Sequence, residues 1–130
     1  MSTRAGILFV DEFSKIYFYR HSDGYPKCTG ADLLEFCKYY KTLRDNASQS
    51  SGWLVLWGAK NFERFSGYEW KVGNYEPCMG FNSDLEFVYV IDLVKMKLEF
   101  RKCISGFWDK PILSKTKILE THKIGGSNEI

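Results

Sequence analysis

The 130 residues are enough for one compact domain with an ordinary core, 1–130, and too few for two. Hydrophobic residues at 45% and charged residues at 26% exclude a disordered chain, and a net charge of +2 excludes a globally acidic mimic of nucleic-acid phosphate. The longest apolar runs, such as Trp53 to Trp57, are far too short to cross a bilayer, and the N-terminus has no signal-peptide core, so the expectation is a soluble, cytoplasmic chain that does not engage a membrane.

In chain order, Gly6 to Val10 reads as a buried strand, Asp11 to Lys15 as a hairpin turn, and Ile16 to Arg20 as the returning strand. The run Tyr17 to Pro26, YFYRHSDGYP, then stops an aromatic strand in turn chemistry. Asp23 is expected to fold an Asx turn, Gly24 to take positive φ, Pro26 to fix φ, and His21 to cap backbone groups. Thr29 or Gly30 then caps a helix at about 31–43, whose Leu33, Leu34, Cys37, Tyr40 and Lys41 follow helical spacing. The polar stretch RDNASQSSG predicts a mobile loop over 45–52. Trp53 to Trp57 is read as a strand followed by a short helical turn, because Gly58 weakens a helix. Gly67 to Ser83 is expected to be mainly irregular, with a short strand around Glu69 to Val72.

The best alternation lies in Leu85 to Asp92, a strand apolar on both faces and therefore central. Leu93 to Met96 turns the chain into Lys97 to Ile104, where Leu98 and Phe100 alternate with Glu99 and Arg101, giving a second hairpin. Ser105 to Pro111 breaks the pattern, Ile112 to Ile124 forms a last strand, and 125–130 is a frayed tail. The fold class is α+β: a mainly antiparallel sheet of two hairpins plus extra strands, with the helix on one face.

Charge is unevenly placed. Up to Asp92 there are 10 basic and 12 acidic residues, whereas Leu93 to Lys123 holds 8 basic against 3 acidic. This basic third suits an anionic ligand, nucleic acid or an acidic protein surface, and equally a solvated edge strand guarded by lysines.

The opening STRAGILFVD, the run IYFYRHSDGYP and the later DLEFVYVID strand resemble a group of small uncharacterised proteins of bacteriophages and prophages. Such proteins share a Thr-Arg opening and a His-x-Asp-Gly-Tyr-Pro loop. The resemblance covers the first third well and the Asp84 to Asp92 strand in part, and it carries no assigned activity. It implies a phage context inside a bacterial host cell, in which small proteins disable host defence, anti-CRISPR proteins among them, mostly by binding.

Several residues can be weighed as chemistry. His21 and Asp23 form a candidate acid-base pair, with Arg20 and Tyr25 holding an anion, although a purely structural turn is the favoured reading of them. Ser2 as an N-terminal nucleophile, or any of Cys28, Cys37, Cys78 and Cys103, lacks a local signature. The cysteines are scattered without a CxxC pair, and Walker, GxGxxG and HExxH patterns are missing from the sequence, so neither metal nor cofactor is expected. Lys95, Lys97, Arg101 and Lys102 near Phe100, followed by Trp108 and Lys110, interleave charge and aromatics as nucleic-acid or anion binding over 95–110 requires. Trp53, Trp57, Tyr68, Trp70 and Tyr75 are candidate anchors for a protein partner.

The expected function is a non-enzymatic phage-encoded inhibitor of a bacterial defence protein or complex. Sequestration of a nucleotide or other anionic signal, and a small enzyme using His21 and Asp23, are the alternatives. The binding residues expected are Arg20, His21, Asp23, Tyr25, Trp70, Tyr75, Lys97, Arg101 and Lys102.

Overall fold

The computed structural model describes residues 3–39, 46–61, 75–104 and 113–124. Strands β1 (Ala5–Val10), β2 (Lys15–Arg20), β3 (Glu76–Cys78), β4 (Phe87–Asp92), β5 (Lys97–Cys103) and β6 (Thr116–Lys123) form one sheet in the order β3-β2-β1-β4-β5-β6. Helices α1 (Ala31–Tyr39) and α2 (Ala47–Asn61) lie between β2 and β3 in the chain. This is the α+β architecture read from the sequence, and both expected hairpins, β1-β2 and β4-β5, are present.

The hairpins meet through a parallel pair, β1 beside β4, so the sheet is mixed. Parallel neighbours cannot be joined by a tight turn, and the intervening chain supplies the crossover. Alternation then sorts the side chains. Ala5, Ile7, Phe9, Phe18, Tyr89, Ile91, Leu98 and Phe100 face Leu33, Phe36 and Cys37 of α1 and Leu54 and Trp57 of α2 in the main core. A smaller cluster on the other face holds Leu85, Val88 and Val90, with Phe81, Tyr19, Val10 and Leu113 against it.

Three local expectations are corrected. Residues 47–57 are helix throughout, neither a loop over 45–52 nor a strand at Trp53 to Trp57. Asn46 caps that helix, its Oδ1 accepting from Gln49 N at 3.1 Å and from Ser48 Oγ at 2.7 Å. Asp11, in the β1-β2 turn, reaches across to accept Ala47 N at 2.7 Å. A tertiary bond thus helps start a helix whose first turn looks like loop.

The second correction concerns the cap of α1. A π-helical turn, Pro26–Gly30, precedes it, and the N-cap residue of that turn, Tyr25, makes no side-chain capping hydrogen bond. Thr29 instead donates its hydroxyl back to the Asp23 carbonyl at 2.6 Å. Third, positive φ falls on Asp23, at 58°, and not on Gly24. Gly24 is required for space: a Cβ there would stand 2.8 Å from the Thr3 carbonyl oxygen, where Gly24 N donates to that oxygen at 2.9 Å.

Strand β3 lies in a stretch expected to be irregular, pairing with β2 through Tyr17, Phe18 and Tyr19. The expected strand at Glu69 to Val72, the end of the helix at 40–43 and the tail at 125–130 lie outside the described residues.

Four acceptances by its carboxylate, led by the Ala47 amide and then Phe13, hold Asp11 down at about 2 against an ordinary 3.8. A lowered folded pKa means the stabilisation is complete above the unfolded value and is lost as pH falls through the folded one. Thermal melts should therefore lose stability between about pH 4 and pH 2, and Asp11→Ala should flatten that part of the profile. Asn46→Ala should cost about 1 kcal/mol in denaturant unfolding through loss of the cap.

Candidate functional site

Arg20 is the last residue of β2, and its side chain turns into the core, 2% exposed. The guanidinium lies 4.6 Å over the Tyr75 ring, its NH1 donates to the Tyr75 hydroxyl at 2.7 Å, and Asp32 Oδ2 lies 3.6 Å away. Tyr75 donates in turn to Asp32 Oδ2 at 2.5 Å, and Trp57 Nε1 donates to the same carboxylate at 3.2 Å. Burial, before any charge effect, raises the Tyr75 phenol well above its ordinary range and keeps it neutral. Arg20 and Tyr75, both expected as binding residues, are therefore corrected to core positions, bonded to each other and to Asp32.

His21 turns elsewhere. Its Nδ1 and the Tyr19 hydroxyl are 2.9 Å apart, in hydrogen-bond contact, so the expected backbone capping by His21 is replaced by a side-chain pair. Tyr19 belongs to the second face of the sheet, where Arg4 NH1 pairs with Asp84 at 3.1 Å. Burial, then the Asp84 charge, raises the Tyr19 phenol pKa, and Arg4 opposes them. Beside this group the segment Met79 to Asp84 lines an open depression of about 530 Å³. Among the described residues no hydrogen bond or ion pair reaches the Asp23 carboxylate, so the structure does not join His21 and Asp23 into an acid-base pair.

The basic hairpin divides as well. Lys97 and Arg101 sit two positions either side of Glu99 on β5, and both grip it, at 2.9 Å and 2.6 Å. Burial works to raise the Glu99 pKa, but the hydrogen bonds and charges of Lys97 and Arg101 outweigh it and the net shift is downward. Arg101 also donates to Thr116 Oγ1 at 2.9 Å, tying β5 to the start of β6. Lys102 points to the opposite face, with its Nζ 4.7 Å over the Phe87 ring, and the exposed Tyr25 ring is 6.4 Å from Phe87. Of the nine residues expected, Tyr25 and Lys102 are thus brought together through Phe87, Lys97 and Arg101 through Glu99, and Trp70 lies outside the described residues.

Arg4, Asp32, Asp84, Phe87 and Glu99 were not among the expected residues. Only Glu99 had a readable signal, since Lys97, Glu99 and Arg101 recur at the two-residue strand period. Among the described residues no three His, Cys, Asp or Glu side chains are grouped to hold a metal. Burial raises the Cys37 thiol to about 12 and the Cys103 thiol to about 11, which disfavours the thiolate needed of a nucleophile. No described helix is long and apolar enough to cross a membrane. No family model, curated protein or solved structure matches this chain.

Removing one member of a buried ion pair strands the other charge in the core. Arg20→Met should lower unfolding stability by roughly 3–5 kcal/mol, and the double change Arg20→Met with Asp32→Asn, which removes the charge and keeps an acceptor for Tyr75 and Trp57, should recover part of that loss in a denaturant titration. His21→Ala, at a half-buried position, should cost about 1 kcal/mol or less.

Proposed function

We propose that this chain is a non-enzymatic binding protein of phage or prophage origin that inhibits a bacterial defence component by protein-protein contact, anti-CRISPR action being the narrowest form of that reading. The observation that supports it is the outer flank of α2. From Asn46 to Ala59 the sequence carries no charge, and the side of the helix away from the core leaves Trp53, Val55 and Leu56 exposed at 41%, 39% and 44%. A helix of one sheet-packed layer ordinarily turns a charged face to water. An apolar outer flank with a tryptophan in it has the composition of an interface anchor, which excludes water and gains affinity when covered.

The two alternatives have less support. An enzyme using His21 and Asp23 would need the two side chains to share a proton path, whereas His21 Nδ1 is engaged with Tyr19. Sequestering an anionic signal with Arg20, His21 and the basic C-terminal hairpin would need the Arg20 guanidinium at the surface, and it is 2% exposed.

Affinity capture from a bacterial lysate with the tagged protein should retain a stoichiometric protein partner. The double variant Trp53→Ser, Leu56→Ser should lose that partner while keeping its circular dichroism spectrum and melting profile. Capture unaffected by the double variant, or no stoichiometric partner from any host in which the protein blocks defence, overturns the reading.

A further inference from the structure

The cations of the sheet fall into two groups. Arg20, Lys97 and Arg101 each meet a carboxylate, as does Arg4 just before β1. Lys102 and Lys117, like Lys15 and Lys123, do not: among the described residues none of the four forms an ion pair. Yet Lys102 and Lys117 are register partners on β5 and β6. Side chains directly opposite each other on adjacent strands share a face with their Cβ atoms about 5 Å apart, and like charges so placed repel.

The same register continues inward. Lys102 pairs with Phe87 on β4 and lies over its ring, with Nζ 4.7 Å from the centroid. Beyond Phe87, the Tyr25 ring stands 6.4 Å away and is 44% exposed. One end of the sheet therefore carries a row in the order Tyr25, Phe87, Lys102, Lys117, aromatic at one side and doubly cationic at the other. Exposed Lys27 lies two residues after Tyr25 and exposed Asp23 two residues before it, so the positive charge of the row is that of Lys102 and Lys117. The acid on the same face of β6, Glu120, is engaged by His122 Nε2 at 2.8 Å.

We infer that this row binds a nucleoside phosphate, with the base against Tyr25 and the phosphate between Lys102 and Lys117. A phosphate there converts the cross-strand repulsion into two charge-assisted contacts, and the exposed phenol ring offers a stacking face that any base can use. Phe87 fixes the spacing by holding the Lys102 stem against the sheet. The chemistry is shared by a free nucleotide and by a nucleotide within a single strand. The site uses none of the α2 flank, so it stands or falls separately from the protein-binding reading.

The full-length protein would be titrated with ATP by calorimetry and with a fluorescein-labelled oligothymidylate by polarisation, each at low and at physiological salt. Saturable binding of at least one probe is expected. Lys102→Ala with Lys117→Ala should weaken it about a hundredfold, the loss of two charge-assisted contacts. Tyr25→Ala should weaken it about tenfold, as removal of one stacking platform does. Lys95→Ala, exposed in the turn at the far end of β5, should leave it unchanged, and Lys102→Arg should retain it. A free nucleotide is the ligand if ATP binds more tightly than the oligomer, and a single strand if the oligomer binds more tightly with a steep loss in salt. No saturable binding of either probe at low salt overturns the inference. So does binding that survives the double lysine change in a folded variant, or inorganic phosphate competing as well as ATP with Tyr25→Ala without effect.

Discussion

Arg20 ends β2 inside the protein, and the rest of the structure depends on how its charge is met there. A guanidinium taken out of water costs several kcal/mol unless it is paired and hydrogen-bonded. The partners come from distant parts of the chain: Asp32 from the first turn of α1, Tyr75 from just before β3, and Trp57 from α2 through the Asp32 carboxylate. One buried network therefore fixes the angle of both helices on the sheet and the point where β3 joins its edge. Hydrophobic packing alone tolerates sliding of a helix over a sheet; a buried charge held by directional bonds does not.

That network also explains what the turn after β2 is for. With Arg20 turned inward, residues 21–24 carry the chain from the end of β2 back over the start of β1, and Gly24 has to pass within hydrogen-bonding distance of Thr3. Tyr89, from the central strand β4, donates its hydroxyl to the Gly24 carbonyl at 2.5 Å, locking the turn to the middle of the sheet. Gly30 makes the same kind of close approach, since a Cβ there would stand 2.8 Å from the Phe100 ring. The run that reads most like a site in the sequence is in large part the means by which a strand hands over to a helix.

Charge on the remaining surface is organised by strand alternation. On one face Glu99 pairs with both Lys97 and Arg101, so a stretch that looks basic in sequence is partly balanced where it folds. On the other face Lys102 and Lys117 are left facing each other beside Phe87. Counting charges along the chain merges these two situations, whereas the pleat separates them by pointing successive side chains to opposite faces. The uncharged outer flank of α2 was hidden for a related reason: its residues scan as a polar loop followed by an apolar strand until a helix places them on one cylinder.

By itself the sequence determined the two hairpins, the central β4, the start of α1 and the α+β class, because period-two alternation and turn residues are local properties of the chain. Tertiary structure decided the parallel pairing of β1 with β4, the helix at Ala47–Asn61, the burial of Arg20 and Tyr75, and the partners of each cation. Apart from the local Lys97–Glu99–Arg101 group, each of those depends on a bond between residues far apart in sequence. Asp11 to Ala47 spans 36 positions and Arg20 to Tyr75 spans 55, and no pattern within either segment encodes the other. The Asn46-to-Gln49 spacing is a capping pattern embedded in a run of serines closed by Gly52, which reads locally as loop, and the Asp11 carboxylate that meets Ala47 N lies outside that window.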